Sequence, residues 1–246
     1  MDLDRRTQQF WLWGGVLSIV AFFVGWVGFA QFLPPFSPGH SAAEAAETFG
    51  ERRNAIRTGA LIMIVGTMLW VPFAAVVAAQ TRVRDGRRPV NEWVQIAAAA
   101  TSTAVILVAM MFWVVACFRP ERDPELTQML VDAGFIFAIM PFIMFVVWNL
   151  GVTLAILTDT RESPAYPRWV AYFSVWCAVL YLPGGALAYF HDGPFAWNGL
   201  VAFFLPAIAF FIWILVMTVM TFDSIRRADL PALRTADVPA LVEQTA

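Results

Sequence analysis

Six long apolar stretches dominate the chain, at about residues 10–32, 58–80, 94–118, 135–157, 169–190 and 195–222. At 1.5 Å per residue, roughly 20 residues of helix cross a hydrocarbon core about 30 Å thick. Unpaired backbone cannot face lipid, and the runs lack the ten-residue alternation of barrel strands, so each run reads as a helix. The pattern predicts an all-α, polytopic transmembrane helical bundle of about six spans, forming one domain over residues 1–225. A polar tail, residues 226–246, follows and is punctuated by Pro231 and Pro239. The opening MDLDRRTQQF has the charge-then-apolar order of a signal peptide. Its apolar run is too long for one and ends in Pro34-Pro35-Phe36, so it reads as an uncleaved first span.

The polar breaks carry local signals. Ser41-Ala42-Ala43-Glu44 reads as a capping box. It predicts a short surface helix with an apolar stripe at Ala42, Ala45, Ala46, Phe49 and Ile56, broken near Gly50, leading into the second span. Asp123-Pro124 reads as an N-cap followed by proline at N1, opening the helix that becomes the fourth span. His191-Asp192-Gly193-Pro194 reads as a tight turn, which makes spans five and six antiparallel neighbours.

Arginine placement predicts sidedness. Arg5, Arg6, Arg82, Arg84, Arg87, Arg88, Arg161, Arg168, Arg226, Arg227 and Arg234 fall on the side of both termini. Arg52, Arg53, Arg57, Arg119 and Arg122 fall on the other. The bias predicts cytoplasmic termini, with the Arg82–Arg88 loop as the strongest anchor.

Composition narrows the chemistry. The chain is 60% hydrophobic and only 14% charged, against about 25% charged for soluble domains. Its net charge of -2 supplies no basic face for nucleic acid. All 16 Lys+Arg residues are arginine, which excludes a lysine Schiff base. Two histidines, His40 and His191, are too few for multi-histidine haem or diiron sites. Cys117 and Cys177 lie in apolar runs and read as small hydrophobes. No Asp, Glu, Arg or His lies near the centre of a span, which disfavours ion-coupled transport through a buried charge. No cofactor or metal is assigned, and no residue is assigned as catalytic.

Few residues remain as candidates. Asn149, beside Trp148, is the most costly polar group to bury in lipid, and it either lines a cavity or bonds a neighbouring helix. Internal prolines at 72, 141, 183 and 206 kink their helices. Such breaks can also form midplane sites. Pro183 is the most disruptive, because Gly184 and Gly185 follow it. Trp148, Asn149, Pro183 and Trp176 are therefore the candidate lining of an apolar pocket between helices. Arg119, Arg122, Asp123, His191 and Asp192 form a second candidate group on the face away from the termini. Its part Arg119, Glu121, Arg122 and Asp123 would suit an anionic headgroup or a partner, and is otherwise a solvated loop with local pairing. His191 and Asp192 with an acid from Glu121–Glu125 could form a single metal site but read first as an ordinary turn.

The segments FLPPFSPGHSAAEAAETF…RRNAIRTG, FRPERDPELTQMLVDAGF and PRWVAYFSVWCAVLYLPGGALAYFHDGPFAWNG together resemble an uncharacterised family of six-helix bacterial inner-membrane proteins. The resemblance covers Pro34 to Phe222. It implies the topology and the membrane, and it brings no activity, cofactor or functional residue. Two functional expectations result. The first is a non-enzymatic membrane protein that binds or helps move a small apolar molecule or lipid. The second is a structural or accessory subunit, partnered by membrane lipids, another membrane protein or itself.

Overall fold

The computed structural model describes residues 3–82, 88–119 and 121–227. Among the described residues there is no strand. Six helical passes are long and apolar enough to cross a membrane: Asp4–Phe29, Arg53–Thr81, Val90–Ala116, Pro124–Leu157, Arg168–Ala188 and Gly193–Arg227. The chain is a multi-pass all-α bundle. Many large apolar side chains point outward, with Val65 67% and Leu200 69% exposed. In water such a surface would drive association, whereas in a bilayer it faces its natural solvent.

The first pass is α1 (Leu3–Phe23) continued by a π-helical turn over Val24–Phe29. A surface helix, α2 (Ala42–Glu51), precedes the second pass, made of α3 (Arg53–Met68) and α4 (Trp70–Thr81). The third pass is α5 (Val90–Ala116). The fourth is α6 (Pro124–Ile139), a 3₁₀ segment over Met140–Met144, and α7 (Phe145–Leu157). The fifth is α8 (Arg168–Tyr181) with a 3₁₀ continuation over Leu182–Ala188. The sixth opens with a π-helical turn over Leu200–Phe204 and becomes α9 (Leu205–Arg227).

Helices start where their caps lie rather than where charges stop. The fourth pass begins at Pro124, well before the apolar run at 135, because Asp123 accepts a hydrogen bond from the Glu125 N–H at 2.8 Å. The capping box forms as expected. Ser41 Oγ accepts from Glu44 N at 3.3 Å, and Glu44 Oε2 accepts from Ser41 N at 2.7 Å. The break after α2 falls at Arg52, not Gly50. The HDGP turn places Gly193 at φ +73°, a conformation glycine tolerates and side chains rarely adopt. At the other end α9 runs through Arg226 and Arg227, past the expected boundary at 225, with an i,i+4 pair from Arg227 to Asp223 at 2.9 Å. Residues 83–87 of the arginine-rich loop and the tail from 228 to 246 lie outside the described residues.

Each internal proline coincides with a break in its helix or a change of helix type. Pro72 offers no N–H to the Met68 carbonyl, and α3 gives way to α4 at Leu69. Pro141 and Pro183 lie in the two 3₁₀ segments, and Pro206 follows the second π turn. The first π turn contains no proline. There the chain closes Ala30 N to Gly25 O at 2.9 Å and Phe32 N to Trp26 O at 2.8 Å. Gly25 and Gly59 explain why the first and second passes touch. A Cβ on Gly25 would lie 2.6 Å from the Gly59 carbonyl oxygen, and the reverse contact would be 2.5 Å.

The end carrying both termini is tied by side chains. Gln80 Nε2 donates to Gln8 Oε1 at 2.5 Å, and Ser224 Oγ donates to Gln80 Oε1 at 2.9 Å, so passes one, two and six share one hub. Arg161 Nη2 donates to the Gln80 carbonyl at 3.0 Å while its guanidinium pairs with Asp159 at 2.6 Å. The buried Tyr166 hydroxyl bonds Thr221 Oγ1 at 2.9 Å. Burial raises the Tyr166 pKa, so that hydroxyl stays protonated.

Candidate functional site

The bundle midplane is filled with rings. Phe145 stacks on Phe210 at 4.3 Å, and Trp148 meets Trp213 edge-on at 5.2 Å. Trp148 and Asn149 are both 0% exposed. Asn149 Nδ2 donates to the Ser174 carbonyl at 3.1 Å, joining α7 to α8. Ser174 Oγ accepts from Trp213 Nε1 at 3.0 Å, which brings α9 into the same contact. The Tyr181 hydroxyl lies beside Asn149 and Cys177 without completing a hydrogen bond.

The four residues expected to line one pocket do not share it. Trp176 is 61% exposed on the outer surface of α8, since its helical position faces away from α7 and α9. Pro183 is half-buried in the 3₁₀ segment, where Gly184 packs toward the Phe142 side chain. Trp148 and Asn149 thus act as packing and interhelical hydrogen bonding. The two glycines admit a close crossing of passes four and five.

The second expected group also separates. Asp123 is used as a cap. Arg122 Nη1 donates to the Val115 carbonyl at 2.8 Å, closing its own loop. Arg119, His191 and Asp192 are exposed. His191 lies near enough to Asp132, on α6, for their charges to interact. Among the described residues no three His, Cys, Asp or Glu side chains gather in a way that could hold a metal ion. Arg57, not singled out from the sequence, donates to the Cys117 carbonyl and lies 5.9 Å from the Phe118 ring centre. Burial pushes the Cys117 thiol up to about 12 despite that nearby charge, so it is no nucleophile at neutral pH.

Open volume lies elsewhere. A cleft of ≈ 550 Å³ opens at the α2 end, within the usual range of about 300–1,000 Å³ for ligand sites. Three separate segments build it: residues 31–40 after the first pass, Thr48 and Arg52 at the end of α2, and Asn198 before the sixth pass. Its walls are held in place. Trp197 Nε1 donates to the Phe36 carbonyl at 2.7 Å, and Gln128 Nε2 donates to the His40 carbonyl at 2.9 Å. The His40 ring stacks on Phe36 at 4.2 Å, with Nδ1 3.0 Å from the Ser37 carbonyl oxygen. Gln31 sits at φ +54°, a left-handed conformation unusual for a side-chain-bearing residue.

Beneath the cleft lies an aromatic cluster. Trp26 stacks on Phe203 at 5.5 Å, which joins the two π turns, and Phe135 stacks on Trp197 at 5.9 Å. Trp113 is fully buried there, against Gly134. Sequence reasoning missed Gln31, Thr48, Arg52 and Asn198 because no periodicity links three loops so far apart. The dense turn residues between Leu33 and His40 were the one available signal.

A second opening is a groove of ≈ 240 Å³ beside the Pro141 break, lined by Val105, Ile136, Phe137 and Met140 among others. Its lining is apolar, and it faces outward along the fourth pass.

Comparison with known proteins finds no family model, no curated protein and no solved structure that matches the chain.

Proposed function

We propose that this protein is a non-enzymatic inner-membrane protein that binds, or helps move, a small apolar molecule or lipid at its α2 end. The carrying observation is the contrast between a ring-filled midplane and a ≈ 550 Å³ cleft lined by apolar Phe36, Leu33 and Pro34 together with polar Thr48, Arg52 and Asn198. A mixed lining at the end of a span suits a molecule with one polar and one apolar part. The arginine bias supports cytoplasmic termini, which puts the cleft on the opposite face. The resemblance noted above supports a bacterial inner membrane. Cysteine labelling at Arg88 and at Ala43 tests the sidedness, with accessibility expected only from the cytoplasm at the first. Native mass spectrometry of the purified chain tests the binding. Retained lipid or small-molecule mass is expected, and Thr48→Trp, which fills the cleft, should remove it. A bare chain with no adduct under gentle activation would sink the reading.

A second reading, an accessory subunit, is favoured by the apolar Pro141 groove, which suits a partner's transmembrane helix. A Met140→Trp variant that still crosslinks to the same partners in membranes as wild type would count against it.

A further inference from the structure

We infer that the α2-end cleft takes an amphiphile with an anionic head, a carboxylate or a phosphate, held by Arg52. The inference rests on the cleft reading above and adds the chemical class of the occupant. Arg52 joins α2 to α3 and lines the cleft. Its exposed guanidinium forms no hydrogen bond or ion pair among the described residues, which is also true of Arg53 and Arg119 at this end. Of these three arginines Arg52 alone lines the cleft, and Arg57 and Arg122 are committed to carbonyls. No carboxylate lines the cleft. Glu47 and Glu51, adjacent in sequence to Thr48 and Arg52, are exposed and do not line the cleft, and Glu44 is turned back onto Ser41 N and Oγ at 2.7 and 2.9 Å.

The rest of the polar lining is mostly neutral and able to donate: the Thr48 and Ser37 hydroxyls and the Asn198 and Gln31 amides. An anion gains charge-assisted bonds from Arg52 and these donors, while a cation would be repelled by Arg52.

Position argues for a tail. The first span ends at Phe29, so the cleft sits where hydrocarbon meets headgroups. Leu33, 50% exposed, and Pro34 form its apolar wall, and Leu200, 69% exposed, lies outward near the same end. A head on Arg52 with its tail passing Leu33 into the bilayer satisfies both halves of the lining.

The test uses the full chain in a non-ionic detergent, with tryptophan fluorescence as readout, since Trp197 is bonded to the cleft wall at Phe36. The probes are oleate, phosphatidylglycerol, the uncharged monoolein and inorganic phosphate. Binding of oleate or phosphatidylglycerol at least about tenfold tighter than monoolein is expected, and the stronger of the two identifies the source as free fatty acid or phospholipid. Arg52→Gln should remove that preference, while Arg52→Lys should retain most of it. Equal binding of charged and uncharged amphiphiles, or an Arg52→Gln variant that keeps the preference, overturns the inference and leaves the cleft reading intact. Inorganic phosphate binding as tightly as phosphatidylglycerol also overturns it, because the tail then contributes nothing. If no amphiphile binds and Thr48→Trp changes nothing, the cleft reading itself fails.

Discussion

The two ends of the bundle are built on different principles. At the end with the termini the helices are regular α and are cross-tied by polar side chains, with Gln80 joining Gln8 and Ser224 and with Arg161 and Asp159 clamping the loop. At the α2 end two passes turn π-helical, the fifth turns 3₁₀, and rings do the packing. Indole N–H groups of Trp26 and Trp113 are buried there without partners. Each such orphan costs stability that a neutral bond would have offset. Irregular helix and strained backbone concentrate where function needs shape more than strength. The contrast sets a cross-tied terminal end against a ring-packed α2 end, where the proposed site lies.

The largest expected effect tests the aromatic end. A Cβ on Gly134 would collide with the Trp113 indole, and that ring is locked among Trp26, Phe32 and Phe135. Gly134→Ala should therefore destabilise by about 2–3 kcal/mol, the upper range for overpacking a rigid core. Thermal unfolding in detergent measures it. A variant as stable as wild type would mean that the ring cluster is loose and that the α2 end is not preorganised.

The next effect tests the separation. Gln80→Ala removes the hub that joins passes one, two and six, leaving Ser224 without its acceptor, and should cost about 1–2 kcal/mol. Amphiphile binding should be unchanged. If binding falls in step with stability, the two ends are mechanically coupled and the contrast above is too sharp.

How much of this was legible in sequence follows from which forces were local. The six spans were, because hydropathy is summed over twenty neighbouring residues. So were the Ser41 and Asp123 caps, since each cap and its partner lie within three residues. The prolines marked four of the helix changes. The π turn at Val24–Phe29 carried no such mark and depends on the close approach of Gly25 to Gly59, 34 positions along the chain. Trp176 was grouped with Trp148 on residue type alone, and only the helix's rotation sends one outward and the other inward. The cleft needed three loops at once, so no window along the chain could show it.

A smaller effect concerns pH at the terminal end. Burial raises the Asp159 pKa, but hydrogen bonds from the Arg161 side chain and from the Arg161 and Ala165 N–H groups, with the Arg161 charge, outweigh it and hold the carboxyl below its ordinary value. A folded value below the unfolded one means that Asp159 contributes its stability above the unfolded pKa of about 3.9 and loses it as pH falls through the folded value. Wild type should thus lose thermal stability below about pH 4 more steeply than Asp159→Asn. Parallel pH curves for the two proteins would remove the loop clamp from the holding role.

The smallest effect bears on strain at the cleft. Gln31 holds φ +54°. An L-residue in the left-handed region costs about 1–2 kcal/mol, while glycine there costs about 0.5–1 kcal/mol through the freedom of its unfolded chain. Gln31→Gly should therefore gain roughly 0.5 kcal/mol of stability, and Gln31→Val, with its branched Cβ, should lose stability. The glycine variant also lacks an amide that lines the cleft, so it should bind phosphatidylglycerol a few-fold more weakly while unfolding later. Stability rising as affinity falls is the signature of strain kept for recognition. A glycine variant that is both less stable and equally competent to bind would instead make Gln31 an ordinary loop residue, with no strain kept for the cleft.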